Sequence, residues 1–294
     1  MSDVTLGVDL SDVIARLAVA DAAGKVIERG IVASNRNSAI KDAAKKALHG
    51  AAKVNAIGVA LPAAGETVSD DMTSALANAT GAATKIRAIA AGTAAAIAEH
   101  RAGAAIGASQ MIAFSIAEHV TAGVLIDGKP WTGAHGLGSS VGWLALNPVE
   151  REDYRRLGGL EAEVASAGIV RRFVWRIKSG DRSKVADQVK GDFGKISAGD
   201  ILQGARSGDG VAISVVRDTA KYIGMAVANL ATMFDPEVIV LGGMIASSGD
   251  IMLDSIKGEV SRKLLPQQSE QIRIVLSSLG DDAVAIGAAL AARS

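Results

Sequence analysis

The clearest change of hydrophobic period in the chain lies between Val211 and Ile245. Ile213, Val216, Ala220, Ile223, Val227, Leu230 and Phe234 recur at alternating steps of three and four. That spacing places them in one stripe along a helix. Asp235-Pro236 ends the helix, because proline lacks a donor and drives the residue before it out of helical geometry. Val238, Ile239, Val240 and Leu241 then run without a polar break, as a strand covered on both faces should. Gly242-Gly243 closes the strand. With no Cβ there, backbone can approach a flat ligand, and open α/β sheets bind ligands at such strand ends. A tight strand-to-helix turn needs the same two residues, so a nucleotide cleft and a plain turn both fit.

The remaining apolar runs are short. Val4 to Leu10, Ile14 to Ala20 and Val26 to Val32 read as strands, separated by Ser11-Asp12 and by Asp21 to Lys25. Ala39, Ala43, Ala47 and Ala51 give Ser38 to Ala52 a helical period. Ala56 to Leu61 is a strand closed by Pro62, Asp70 to Gly81 is polar and weakly periodic, and Ile86 to Ala90 is a further strand. Thr93 is placed to cap a helix running through His100. Near Met111 the opening pattern returns: Met111 to Ile116, a turn at Ala117-Glu118-His119, then Thr121 to Ile126. Asp127-Gly128-Lys129 echoes Asp21 to Lys25. The repeat predicts two related α/β lobes hinged near Gly103 to Ser109. The first comprises residues 1–105 with a returning helix over 283–294, and the second residues 106–282. Trp131 to Trp143 is a glycine-rich loop, Leu160 to Ile177 a helix, Lys178 to Gly194 a surface excursion and Asp200 to Arg206 a short helix. Ile272 to Leu276 reads as a strand, Gly280 to Asp282 as a turn, and Ala283 to Arg293 as the last helix.

Composition narrows the chemistry. Of 294 residues, 49% are apolar and only 3% aromatic, so the core must be built of Ala, Val, Ile and Leu. Thirty-one basic and 31 acidic residues cancel without long runs, which argues against a general nucleic-acid footprint. There is no cysteine, and so neither a disulfide nor a thiolate metal site. Met1-Ser2-Asp3 does not open a secretory signal, and no stretch reaches the roughly 18 apolar residues of a membrane span. The expectation is a cytoplasmic protein with neither a membrane nor a nucleic acid as partner.

In their order along the chain, several segments resemble the ROK family (repressors, open reading frames and sugar kinases). These are Leu6-Gly7-Val8-Asp9, Ile126-Asp127-Gly128-Lys129, Gly133-Ala134-His135-Gly136, Phe234 through Gly243, and Leu279-Gly280-Asp281-Asp282-Ala283 through Ala289. The resemblance implies the actin-like ATPase fold, with two ribonuclease H-like α/β lobes facing a central cleft. It also implies ATP and Mg²⁺ as ligands, a nucleotide side at Asp9, Gly242 and Gly243, a sugar side at His135 and Glu161, and a homodimer through the second lobe. The helices after Gly158 and after Val211 would offer the apolar area for that dimer.

The departures fall on the chemistry. Where the family's first phosphate loop reads Asp-Ile-Gly-Gly-Thr, this chain has Asp9-Leu10-Ser11-Asp12-Val13. The second loop, a glycine run, becomes Ala117-Glu118-His119-Val120-Thr121-Ala122-Gly123. A carboxylate about 4 Å from a phosphate charge costs on the order of 4 kcal/mol at an effective dielectric of 20, although a bridging metal would offset it. Anchored on Ala94 through Glu99, the alignment puts the family's catalytic aspartate at Ala91, which cannot accept a proton. The Pro-Asn-Leu sugar loop has no counterpart between Val68 and Ala79, the next sugar-side glutamate falls at Ser140, and the histidine after it at Trp143. The family's zinc needs three cysteines, so that metal is not expected.

Several residues carry a plainer reading beside the functional one. His135 fits a hydrogen-bonded loop position, and Glu161 a helix N-terminus favoured by its dipole. Asp9, Asp12, Glu118 and His119 should converge at the cleft, as an acidic rim rather than a cation site. Trp143 and Trp175 are expected in the core or a dimer interface. The expected function is a catalytically inactive sugar-kinase homologue that binds a small molecule or a protein. The alternative is an ATP-dependent sugar kinase with relocated catalytic residues. A DNA-binding repressor is disfavoured, since such relatives place a helix-turn-helix before the first strand and here the strand begins at Val4.

Overall fold

The computed structural model describes residues 3–32, 37–48, 53–80 and 85–293. Two five-stranded sheets carry the fold. The first contains β1 (Asp3–Asp9), β2 (Ala15–Ala20), β3 (Val26–Val32), β4 (Lys53–Leu61) and β5 (Lys85–Ala90), in the order β3-β2-β1-β4-β5. The second contains β6 (Met111–Ile116), β7 (Val120–Ile126), β8 (Lys129–Trp131), β9 (Val238–Gly243) and β10 (Arg273–Leu276), in the order β10-β9-β6-β7-β8. Both repeat one plan. β1 pairs antiparallel with β2 and parallel with β4, as β6 pairs antiparallel with β7 and parallel with β9. The two echoing turns also match, with left-handed backbone at Gly24 and at Asp127-Gly128.

Helices α1 (Asn37–Ala47) and α2 (Asp70–Thr80) cover the first sheet with Ile40, Ala44, Met72 and Leu76. The weakly periodic stretch from Asp70 is thus a helix. Only Met72 and Leu76 are buried in it, while Asp70 and Asp71 sit favourably in its first turn. The tail of the helix expected over Ser38 to Ala52 differs: α1 ends at Ala47, and 49–52 lie outside the described residues. α3 (Ala91–Ala102) begins two residues before Thr93, with Ala90 at its cap position and no side-chain cap, so Thr93 is not the cap.

The second lobe's helices follow in turn: α4 (Glu152–Leu157), α5 (Gly159–Val164), α6 (Ser166–Lys178), α7 (Lys184–Gln188), α8 (Ala198–Arg206), α9 (Gly210–Phe234), α10 (Met244–Ser247), α11 (Gly249–Ser261) and α12 (Pro266–Gln271). The helix expected over Leu160 to Ile177 is two helices. It breaks at Ala165-Ser166, where both the amide and the hydroxyl of Ser166 donate to Ala117 O at 3.0 Å. The excursion after Lys178 contains α7. α9 is buried over a wider face than one stripe, and Ile213 at its start is exposed. Phe114 and Phe173 are the largest fully buried side chains, in a core of Val, Ile, Leu and Ala. Trp143 and Trp175 are 59% and 66% exposed, so neither is a core residue.

The last helix, α13 (Ala283–Ala291), lies on β1 and β4 of the first sheet and against α3. The approach is backbone to backbone: a Cβ on Gly7 would sit 1.9 Å from Ala285 O, and one on Gly58 2.0 Å from Ala288 O. A Cβ on Gly287 would meet Ala94 O at 1.7 Å, and one on Gly92 would meet Ala122 O at 2.0 Å. Small residues in α3 and α13 therefore set how closely the two sheets stand. Among the described residues no helix is long and apolar enough to cross a membrane.

Candidate functional site

Three strands, β1, β6 and β9, end together at one cleft, at Asp9, Ile116 and Gly243. Asp9, Ser11, Asp12, Ser115, His119, Gly242 and Gly243 line it, with Glu99 and Ser277 at its back. The enclosed space is about 60 Å³, well below the roughly 300–1,000 Å³ of a small-molecule site. The cleft is therefore narrow, and a ligand of that size would need more room than this conformation gives.

In the first turn the chain satisfies its own amides. Asp9 Oδ1 accepts from Ser11 N at 2.8 Å and Ser11 Oγ at 2.6 Å, and Asp12 Oδ1 accepts from Val13 N at 2.6 Å. Asp9 is only 4% exposed. Burial pushes its carboxyl above the ordinary aspartate range, opposed by the two Ser11 donors.

The second turn is also closed by a carboxylate. Glu161, on α5, meets His119 Nδ1 at 3.0 Å through Oε1 and accepts from Val120 N at 3.2 Å through Oε2. The Glu161 hydrogen bond raises the His119 pKa against the opposing effect of burial, with Glu161, Glu118 and Glu66 adding negative potential. In the third turn Gly243 has φ 61°, and a Cβ there would lie 2.1 Å from Ile116 O. On Gly242 a Cβ would lie 2.3 Å from Ser115 Oγ. Sheet packing alone requires Gly243, whereas Gly242 is crowded only by the rotatable Ser115 hydroxyl, and both face the cleft.

Asp9, Asp12, His119, Gly242 and Gly243 come together in the lining, whereas Glu118 stands exposed beside it. Glu161 reaches the site through His119. His135 does not join them: it is exposed between two left-handed glycines, Gly133 and Gly136, and makes no hydrogen bond among the described residues. That differs from the hydrogen-bonded loop position expected for it, because the turn presents its side chain outward. Ala91, 1% exposed, opens α3. Three site features had no signal in the sequence. One is the His119–Glu161 pair, 42 residues apart. Another is buried Glu99, which accepts from Ala104 N at 2.8 Å and from the Ser277 hydroxyl. The last is the rim pair Arg16–Asp281 at 2.8 Å. Among the described residues no group of three His, Asp or Glu side chains is gathered to hold a metal ion.

Phosphate oxygens need free, convergent N–H groups. Here the amides of Ser11, Val13 and Val120 already donate to carboxylates. Those three amides are therefore not free to receive the phosphates of a nucleotide in this conformation.

Two sheets of one plan, joined by small-residue helices over a cleft at their strand ends, place the protein in the actin-like sugar-kinase fold. A profile of the ROK family matches residues 5–294, and the chain belongs to that family. A glucokinase of Halalkalibacterium halodurans is 31% identical over 196 residues, 66% of this chain and 59% of the relative. The match thus spans about three fifths of that glucokinase's length. The ROK hexokinase of Thermus thermophilus is 26% identical with a TM-score of 0.79, covering 99% of this chain and 98% of that one. A ROK family transcriptional regulator, homologous to the E. coli MLC protein, is 22% identical with a TM-score of 0.81, covering 100% of this chain and 78% of the regulator.

Proposed function

We propose that this ROK-family protein is a cleft-binding protein that has lost phosphoryl transfer. The observation carrying the reading is that one or more amides at each phosphate turn, those of Ser11 and Val13 at the first and of Val120 at the second, are bonded to the chain's own carboxylates, Asp9, Asp12 and Glu161. A nucleotide would have to displace three charge-assisted bonds and then face the same acids. Alanine at position 91 supports the reading from the other side, since the position aligned with the family's base carries no acceptor.

In this proposal two lobes, 1–105 with 283–294 and 106–282, part to admit a small molecule or a segment of a protein partner. Asp9, Gly242 and Gly243 form its nucleoside-like side, and Glu161 with His135 its sugar side, His135 acting only from its exposed loop. The protein works in the cytoplasm as a homodimer joined through the second lobe, without DNA, membrane, zinc or catalytic metal. The alternative, an ATP-dependent hexose or amino-sugar kinase, is favoured by the name of the Halalkalibacterium halodurans relative. The test is thermal melting and ³¹P NMR with ATP–Mg²⁺ and a hexose panel. The proposal expects a sugar or nucleoside to raise Tm without sugar phosphate forming, and sustained phosphorylation of any hexose would overturn it.

A further inference from the structure

Away from the cleft, α6 and α9 leave between them a groove of about 720 Å³, within the size range of small-molecule sites. Its floor is charged. Glu163, 2% exposed, faces Arg151 at 3.3 Å, Arg172 Nε at 3.5 Å and Arg171 at 3.9 Å, and accepts the Tyr154 hydroxyl. Arg172 donates to Thr219, but its Nε is buried with no hydrogen bond. Burial pushes the Arg172 pKa down, which marks how poorly this cation is solvated.

Each guanidinium offers five N–H donors. Across Arg151, Arg171, Arg172 and Arg176, six donate to acceptors among the described residues. These four arginines and Lys221 face three acids in the lining, Asp153, Glu163 and Asp218, with Asp181 just outside it paired to Arg176 Nε, so the cluster holds an excess of one positive charge. The walls are of another kind: Trp175, 66% exposed, and Tyr222 supply flat faces beside Val215 and Met225.

We propose that this groove binds a small organic anion, its phosphate or carboxylate head against Arg172 and Arg176 and its flat apolar body along Trp175 and Tyr222. Guanidinium forks take two oxygens of such a head at once, and a cation beside an aromatic face favours a planar body. A free inorganic ion would use the first feature and not the second. The site does not depend on what the cleft does. It nevertheless has a short route there, since α5 carries Glu163 to the groove floor and Glu161, two residues earlier, to His119.

The test is isothermal titration calorimetry of the full chain with phenyl phosphate, and in parallel with benzoate, phenol and inorganic phosphate. Phenyl phosphate or benzoate is expected to bind at least tenfold tighter than phenol and than inorganic phosphate, and the stronger of the two identifies the head. Trp175→Ala and Arg176→Gln, both at solvent-accessible positions, should leave Tm within a few degrees and weaken binding at least fivefold. Arg172→Lys should weaken it as well. Equal binding of phenol, or binding unchanged in all three variants, would overturn the proposal. Failure of both phenyl phosphate and benzoate to bind would overturn it too, and a dimer that Trp175→Ala dissociates in light scattering would then assign the groove to the second-lobe interface between copies.

Discussion

At Asp9, burial and hydrogen bonding oppose each other. The carboxylate is desolvated, and its raised pKa means that the folded chain holds this proton more tightly than the unfolded chain does. Stability is therefore lost as pH rises from the unfolded aspartate value near 3.8 through the folded one. Asp9→Asn, which keeps an oxygen for Ser11, is expected to raise Tm by a few degrees at pH 7, with the gain vanishing below pH 4. Melting curves across that range check it. His119 also has a raised pKa, but as a base its pairing favours the fold when protonated. That contribution is complete below about 6.5 and fades as pH rises through the folded value. His119→Gln should accordingly lower Tm most at pH 5 to 6 and least at pH 9, where the two melting curves approach each other. The turn at Asp9 was legible, because an Asp two residues before a Ser closes a local hydrogen-bonded turn. Glu161 was read as a sugar ligand or a helix-terminal carboxylate, and its engagement with His119 came only from tertiary structure.

Among the elements, those fixed by short-range pattern were the readable ones. The buried strands β1, β6 and β9 announce themselves as apolar runs, and the long helix α9 by its period and its Asp-Pro stop. Errors fell where a distant contact decides the boundary. Ser166 leaves the α5 line because Ala117 O, on the cleft turn, takes its amide and hydroxyl. α3 starts ahead of Thr93 in the segment where Gly92 lies on Ala122. The same contacts say where substitution is costly. Gly287→Ala would push a methyl onto Ala94 O, and overpacking of this kind costs about 1–3 kcal/mol or more. Gly210→Ala, at the first turn of α9 with nothing within 4 Å, should gain about 0.5–1 kcal/mol through lost unfolded-state freedom. Urea denaturation of the two variants should move their midpoints in opposite directions.

On the scale of the whole molecule, the family resemblance carried the architecture, and the departures within it pointed at the cleft. What the sequence did not disclose is that carboxylates of the chain occupy the amides of Ser11, Val13 and Val120, and that the cleft is narrow. Phosphoryl transfer rests on positioning and charge stabilisation, and loss of a general base alone costs about 10²- to 10⁴-fold. Ala91→Asp by itself should therefore restore no hexose-dependent ATP turnover. Adding Asp12→Gly, which frees the Val13 amide, and Glu118→Thr, which removes a negative charge beside the second turn, is the smallest change expected to begin doing so, as a coupled ADP-release assay would read. Turnover restored by Ala91→Asp alone would mean that the turns do not limit the chemistry.

The contact of α3 and α13 with the two sheets has a thermal consequence. Gly7, Gly58, Gly92 and Gly287, with the alanines they touch, possess no rotatable side-chain bond beyond a methyl. Parting the lobes along such a joint leaves no rotamer populations to redistribute there, so it adds little conformational entropy to binding, while its heat-capacity effect is limited to the alanine methyls and backbone that it exposes. Calorimetry of a cleft ligand at several temperatures should then give a heat-capacity change less negative than the surfaces covered by the ligand imply, by no more than the small apolar area of these alanines.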